Sequence, residues 1–251
     1  MKTALVVLMF VTHVLMSYSG GWSIWLSSLG SVLIGILAWV TWPAQWKERL
    51  GLKIPWWEAL LAAALAPVWM ALLYAAIRAI TPPQGITYLT VFAVEGFVNL
   101  SCLHLLGQTL GQEMLFGALL LYTVRQKFAK ASLLLVATLA ALCFSLLHSV
   151  FYRWIVMPAN GGRLTLGALF VLLAIGVLRN TLILKSGHIA YAWSLHLSIS
   201  LVGLAGTYIS ASGTELGEAA IFNSILGAPL AVAAGAVMLG ACGFWLARTP
   251  Q

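Results

Sequence analysis

Glu113, preceded by Gln112 and followed by MLFGALLL, places a carboxyl group in one of the most apolar stretches of the chain. His148 closes the stretch FSLLH 35 residues further on, and His196 lies within SLHLSIS another 48 residues on. A carboxylate and two imidazoles can hold a water and take its proton, with or without a metal ion. The three groups fall in three different apolar runs, where an ionisable side chain costs about 3 kcal/mol or more at the centre of a bilayer. Carried at that cost, they are functional candidates. Phe144 and His148 stand four residues apart, as do His196 and Ser200. On helices, each His therefore shares a face with a neighbour that can orient it.

For these groups to meet, the runs that carry them must be packed helices. Of the 251 residues, 62% are hydrophobic and 8% charged, which is the composition of a polytopic all-α membrane protein. A span needs roughly 20 apolar residues, and 3–18, 23–42, 56–79, 131–152, 164–183, 187–208 and 226–247 qualify. The segment 86–125 is 40 residues long and holds either one irregular crossing or two. With the N-terminus inside and one crossing there, ten Lys and Arg fall inside (Arg125 and Arg179 among them) and three outside, namely Arg78, Arg153 and Arg163. Two crossings would spoil that positive-inside bias. The expectation is eight crossings in an irregular bundle, both termini cytoplasmic, with Gly107 and Gly111 as the places for a kink in 86–125. The N-terminal stretch resembles a signal peptide, but its apolar run is read as a retained first span.

No loop is long enough for a soluble domain, so residues 1–251 form a single integral membrane domain. The net charge of +7 is scattered at the ends of apolar runs, as membrane topology requires, which excludes a nucleic-acid partner. Cys102, Cys143 and Cys242 lie in apolar segments without metal-ligand spacing and read as packing residues. His13, His104 and His188 read as interhelical hydrogen-bond partners, Glu95 as structural, and Glu58, after Trp56-Trp57, as interfacial.

Several intramembrane protease chemistries are excluded by the letters. An aspartyl site needs two Asp, and the chain has none; H-E-x-x-H is missing; GWS and GTELG do not supply a Gly-x-Ser serine site. A glutamate–histidine site is left. QEMLFGALLL, FSLLH and SLHLSIS, in that order and spacing, resemble the CPBP (CAAX protease and bacteriocin-processing, or ABI) family of intramembrane glutamic endopeptidases. The resemblance covers about residues 86–205, the protease-like core.

In that family the pattern is E-E-x-x-x-R, F-x-x-x-H, H-x-x-x-N on an eight-span helical fold. Here Gln112 falls on the first Glu, Gly117 on the Arg and Ser200 on the Asn. The first Glu is the family's base, and an amide cannot accept a proton near neutral pH. Either Glu113 takes over, or the protein is inactive, or the glutamine has replaced a glutamate. The resemblance implies that the carboxylate at 112/113 and His148 activate a water, that His196 and Ser200 stabilise the oxyanion, and that Phe144 supports the site. It also implies metal-free chemistry in preference to zinc, and a bacterial inner-membrane protein.

The implied substrate is a membrane-anchored peptide or protein. Glu113 lies 12 residues from Arg125, about 18 Å of helix, and His196 lies 11 residues from Lys185. That depth suits an exported C-terminal sorting signal, with Arg153 and Arg163 as anchors for a carboxylate or lipid head group. Two other classes stand beside the enzyme: a non-catalytic scaffold or immunity protein, and a small transporter relaying protons through Glu95 and Glu113.

Overall fold

The computed structural model describes residues 33, 40, 44–80, 86–89, 103–150, 164–204, 207–210 and 223–248. The first expected span, all of the second but residues 33 and 40, His13, Glu95, Cys102, Arg153 and Arg163 lie outside them. Within them the chain is helical, with one small ribbon that the all-α expectation lacked. The elements are α1 (Ala44–Arg49), α2 (Trp56–Ile80), β1 (Ile86–Leu89) and α3 (Leu103–Gln112). Next come a π-helical stretch (Glu113–Leu120), α4 (Leu121–Lys127), α5 (Leu133–Val150), α6 (Leu166–Ser186), α7 (Ala190–Leu204), β2 (Thr207–Ser210) and α8 (Pro229–Ala247). Strands β1 and β2 pair antiparallel, Ile86 opposite Ser210 and Leu89 opposite Thr207.

Among the described residues, three helices are long and apolar enough to cross a membrane: Trp56–Leu73 within α2, α6, and α8. α5 and α7 contain shorter apolar runs, Leu133–Leu146 and Ala190–Val202. Large apolar side chains point outward along these helices, as they do where the surroundings are lipid; Val237 is 74% exposed and Leu166 85%. Trp56 and Trp57 stand exposed at the start of α2, where amphipathic rings favour a membrane interface.

α6 is the centre of the bundle and packs on α5, α7, α8 and the π stretch. Small residues let the backbones approach: Gly176 lies against Ala141, where an added Cβ would stand 3.0 Å from the Ala141 methyl. Asn180 donates from Nδ2 to the Ala137 carbonyl at 2.9 Å, and Ser145 donates to the Leu169 carbonyl at 3.0 Å. α2 is laced to α7 by Ser194 donating to the Ala62 carbonyl at 2.6 Å and Ser198 to the Ala66 carbonyl at 3.0 Å. In an apolar medium such side-chain bonds across helices contribute about 0.6 kcal/mol each, up to about 2.

The ends of α6 follow ordinary capping chemistry. Thr165 Oγ1 accepts from the Ala168 amide at 3.2 Å, and Gly187 closes the helix with φ of 79°, the left-handed cap that glycine adopts without a Cβ penalty. The loop after α1 turns at Gly51, with φ of 67°, and its carbonyl accepts from the Ile189 amide at 2.9 Å. That turn drives Leu50 and Leu52 into the core beside Met114, Phe116, Leu121 and Phe144.

One expectation about 86–125 is corrected. The described helical stretch there runs from Leu103 to Lys127. Gly107 and Gly111 sit in regular α-helix; the irregularity is the π stretch beginning at Glu113. A wider turn of this kind is rare and frequent at functional sites.

Candidate functional site

Glu113 opens the π stretch and is fully buried, at 0% exposure. Its Oε1 is 2.8 Å from His196 Nδ1, on α7, and 3.4 Å from Arg179 Nη1, on α6. Arg179 is itself only 2% exposed. The face of its guanidinium lies 4.2 Å from the centre of the Phe144 ring, from α5, a cation–π contact. Phe144 meets His196 edge-on, with centroids 6.2 Å apart, and Phe116 in the same manner at 5.6 Å. Four helical segments thus meet around one carboxylate, with the Phe144 ring packed on both of its partners.

Charge explains why this arrangement is tolerable in an apolar bundle. An isolated carboxylate or guanidinium at this depth would be prohibitively costly; together they are neutral, and His196 adds a hydrogen bond to the same oxygen. Satisfaction is nonetheless incomplete. Among the described residues, Glu113 Oε2 has no hydrogen-bond partner, and neither do Nε and both terminal nitrogens of Arg179. The Arg179–Glu113 contact is an ion pair without hydrogen-bond geometry. Buried polar groups left this way are uncommon and point to a ligand, a water or a reactive role.

Gly117 shapes the site by having no side chain. A Cβ there would collide with Glu113 Oε2 and stand 3.0 Å from Ile183 Cδ1. The carboxylate fits one turn below only because position 117 is empty. Gly117 and Ile183 also line a cavity of about 470 Å³, walled by Leu50, Leu121 and Leu184, which reaches solvent at the exposed Glu48, Arg125 and Gln126.

Of the residues singled out in the sequence, Glu113, His196 and Phe144 are brought together. Gln112 ends α3 half-buried beside them; Glu113 is the member of the pair that bonds His196. Ser200 is buried one turn beyond His196 on α7. His148 lies on α5, one turn beyond Phe144, but its side chain is outside the described residues, as are Arg153 and Arg163. His188 pairs as expected of an interhelical partner: its Nε2 is 2.6 Å from Glu58 Oε2, which joins the α6–α7 turn to α2. Cys242 is a buried packing residue, whereas Cys143 is exposed, which corrects its reading as one.

Arg179 is the residue the sequence reading missed. Counted there as an inner-face charge, it is buried in α6 instead. The signal was present: Arg179 falls inside the run 164–183, ahead of Asn180 and Thr181, and an ionisable residue within a span is a candidate in its own right. Compared with known proteins, the chain matches no family model, no curated protein and no solved structure.

Proposed function

We propose that this chain is an intramembrane endopeptidase of the glutamate–histidine kind, cleaving a membrane-anchored peptide or C-terminal sorting signal. The observation that carries the reading is Glu113: fully buried, bonded to His196, ion-paired to Arg179, with one oxygen unpartnered. The resemblance of its surroundings to the CPBP motifs supports it. In that resemblance a guanidinium stands four residues after the glutamate pair; here Arg179 brings one to Glu113 from another helix.

Chemically, Oε2 is the oxygen with a free lone pair. It takes a proton from a water as the water oxygen attacks the scissile carbonyl carbon. The Arg179 donors that lack an acceptor, with Ser200 and, once protonated, the second ring nitrogen of His196, offer O–H and N–H groups to the developing oxyanion. The proton on Oε2 then passes to the amide nitrogen as the C–N bond breaks, leaving an acid and an amine. His148, one turn beyond Phe144, is the second base in this scheme. No step requires a metal. We further propose eight crossings, cytoplasmic termini and a bacterial inner membrane, with the peptide reaching the site from the Arg153 side.

A scaffold on the same fold is the second reading. It is favoured by Gln112 at the place of the family's base, and by Glu113 Oε1 being shared between two cationic or donor partners, as in a structural ion pair. The test is a cleavage assay on co-expressed candidate substrates with the chain as it stands, Gln112→Glu and His148→Ala. Cleavage by the unaltered chain, lost in His148→Ala, makes Glu113 the working base. Cleavage only by Gln112→Glu makes position 112 the base. Cleavage that survives His148→Ala removes that histidine from the scheme.

A further inference from the structure

The cavity under Gly117 opens at the end of the bundle that carries Arg125, Lys127, Lys130, Lys53 and Lys185, the end opposite to the one where α5 carries His148. Its far wall is formed by Gly117 and Ile183. Both stand against the Glu113 carboxylate: the space a Gly117 side chain would fill is bounded by Oε2 on one side and Ile183 Cδ1 on the other. Among the described residues, Oε2 of that carboxylate and three nitrogens of the Arg179 paired with it have no hydrogen-bond partner, on side chains at 0% and 2% exposure. Each such group left dry costs about 1–3 kcal/mol, more for charged ones.

We propose that the cavity is a water-access vestibule, and that water passes Ile183 from the basic end of the bundle to occupy a site between Glu113 Oε2 and the Arg179 guanidinium. Water is the ligand because it fits the chemistry. It donates to Oε2 and accepts from Arg179, the two unmet requirements, and such a water needs only two to four polar partners. Among the described residues, Ile183 is a cavity-lining side chain that stands against that space, and its rotamer change, on the picosecond-to-nanosecond scale, is the motion that would admit a water. The inference needs only the Glu113–Arg179 geometry and stands whether the site hydrolyses peptides or not. If it does, water and peptide arrive from opposite ends.

Millisecond X-ray radiolysis of the purified full chain tests this without a substrate, because hydroxyl radicals formed from bound water label the side chains beside it. Ile183 and Phe144 are expected to be labelled well above the buried Val136 and Val177 after correction for intrinsic reactivity. Plugging the vestibule with Ala118→Phe or, independently, Leu184→Phe should lower Phe144 labelling several-fold while leaving the exposed Phe128 unchanged. Phe144 left unlabelled in the unaltered chain would overturn the proposal. So would labelling that persists in a folded plug variant, which would mean that water arrives by another route.

Discussion

Replacing Arg179 with Met removes the guanidinium while keeping an unbranched chain of similar length against Phe144. The two charges stand 3.4 Å apart. At an effective dielectric constant of about 20 their attraction is worth about 5 kcal/mol before desolvation. Desolvation of both groups offsets much of this in the intact protein, but in Arg179→Met the carboxylate remains buried with His196 as its remaining partner. Breaking a buried pair from one side costs about 3–5 kcal/mol, and loss of the contact with Phe144 adds about 1. Glu113→Gln, which strands the guanidinium, should cost a similar amount. The double variant should cost less than either single change, because neutral groups of similar size replace the whole pair. A double-mutant cycle measured by unfolding of the detergent-purified protein reads the coupling directly. Additive losses, or a loss below about 1 kcal/mol for Arg179→Met, would refute the claim that the two charges hold each other.

Two further outcomes follow from the same geometry. Gly117→Ala should destabilise by about 1–3 kcal/mol, since the added carbon must displace the Glu113 carboxylate; Gly240→Ala, which meets nothing within 4 Å, should be neutral or stabilising by up to about 1 kcal/mol, and thermal unfolding of both checks the contrast. Glu58→Gln and His188→Phe should each lower the unfolding temperature, because the 2.6 Å contact between the two residues joins α2 to the α6–α7 turn, and the double variant should lower it by less than the sum.

Much of this arrangement was legible in the sequence because an ionisable residue in an apolar run has few innocent explanations. Glu113 and His196 were marked by that reasoning, and Phe144 by its helical spacing from His148. Arg179 was lost because it lies seven residues before the end of α6, at Ser186, and long basic side chains near helix ends ordinarily reach the interface; sequence alone does not say which way such a side chain turns. The π stretch was invisible for a different reason. Gly107 and Gly111 looked like weak points, yet an isolated glycine in a packed helix is tolerated, and the widened turn arises where Glu113 must aim at α6 and α7 at once. The β1–β2 ribbon was missed because ITYL and TYIS are short and border apolar runs. Burial on all sides also blurs periodicity: α7 is apolar around its circumference, so no stripe indicated which face His196 would present.

The most direct measurement compares membranes from cells making the chain as it stands with membranes from cells making Glu113→Gln, by quantifying new peptide termini across the membrane proteome. The account predicts one or a few cleavage products, each within or beside a membrane-spanning segment of its substrate, that are present with the unaltered chain and missing with an equally abundant, folded Glu113→Gln. Identical termini in the two samples, whether cleaved in both or in neither, would contradict it.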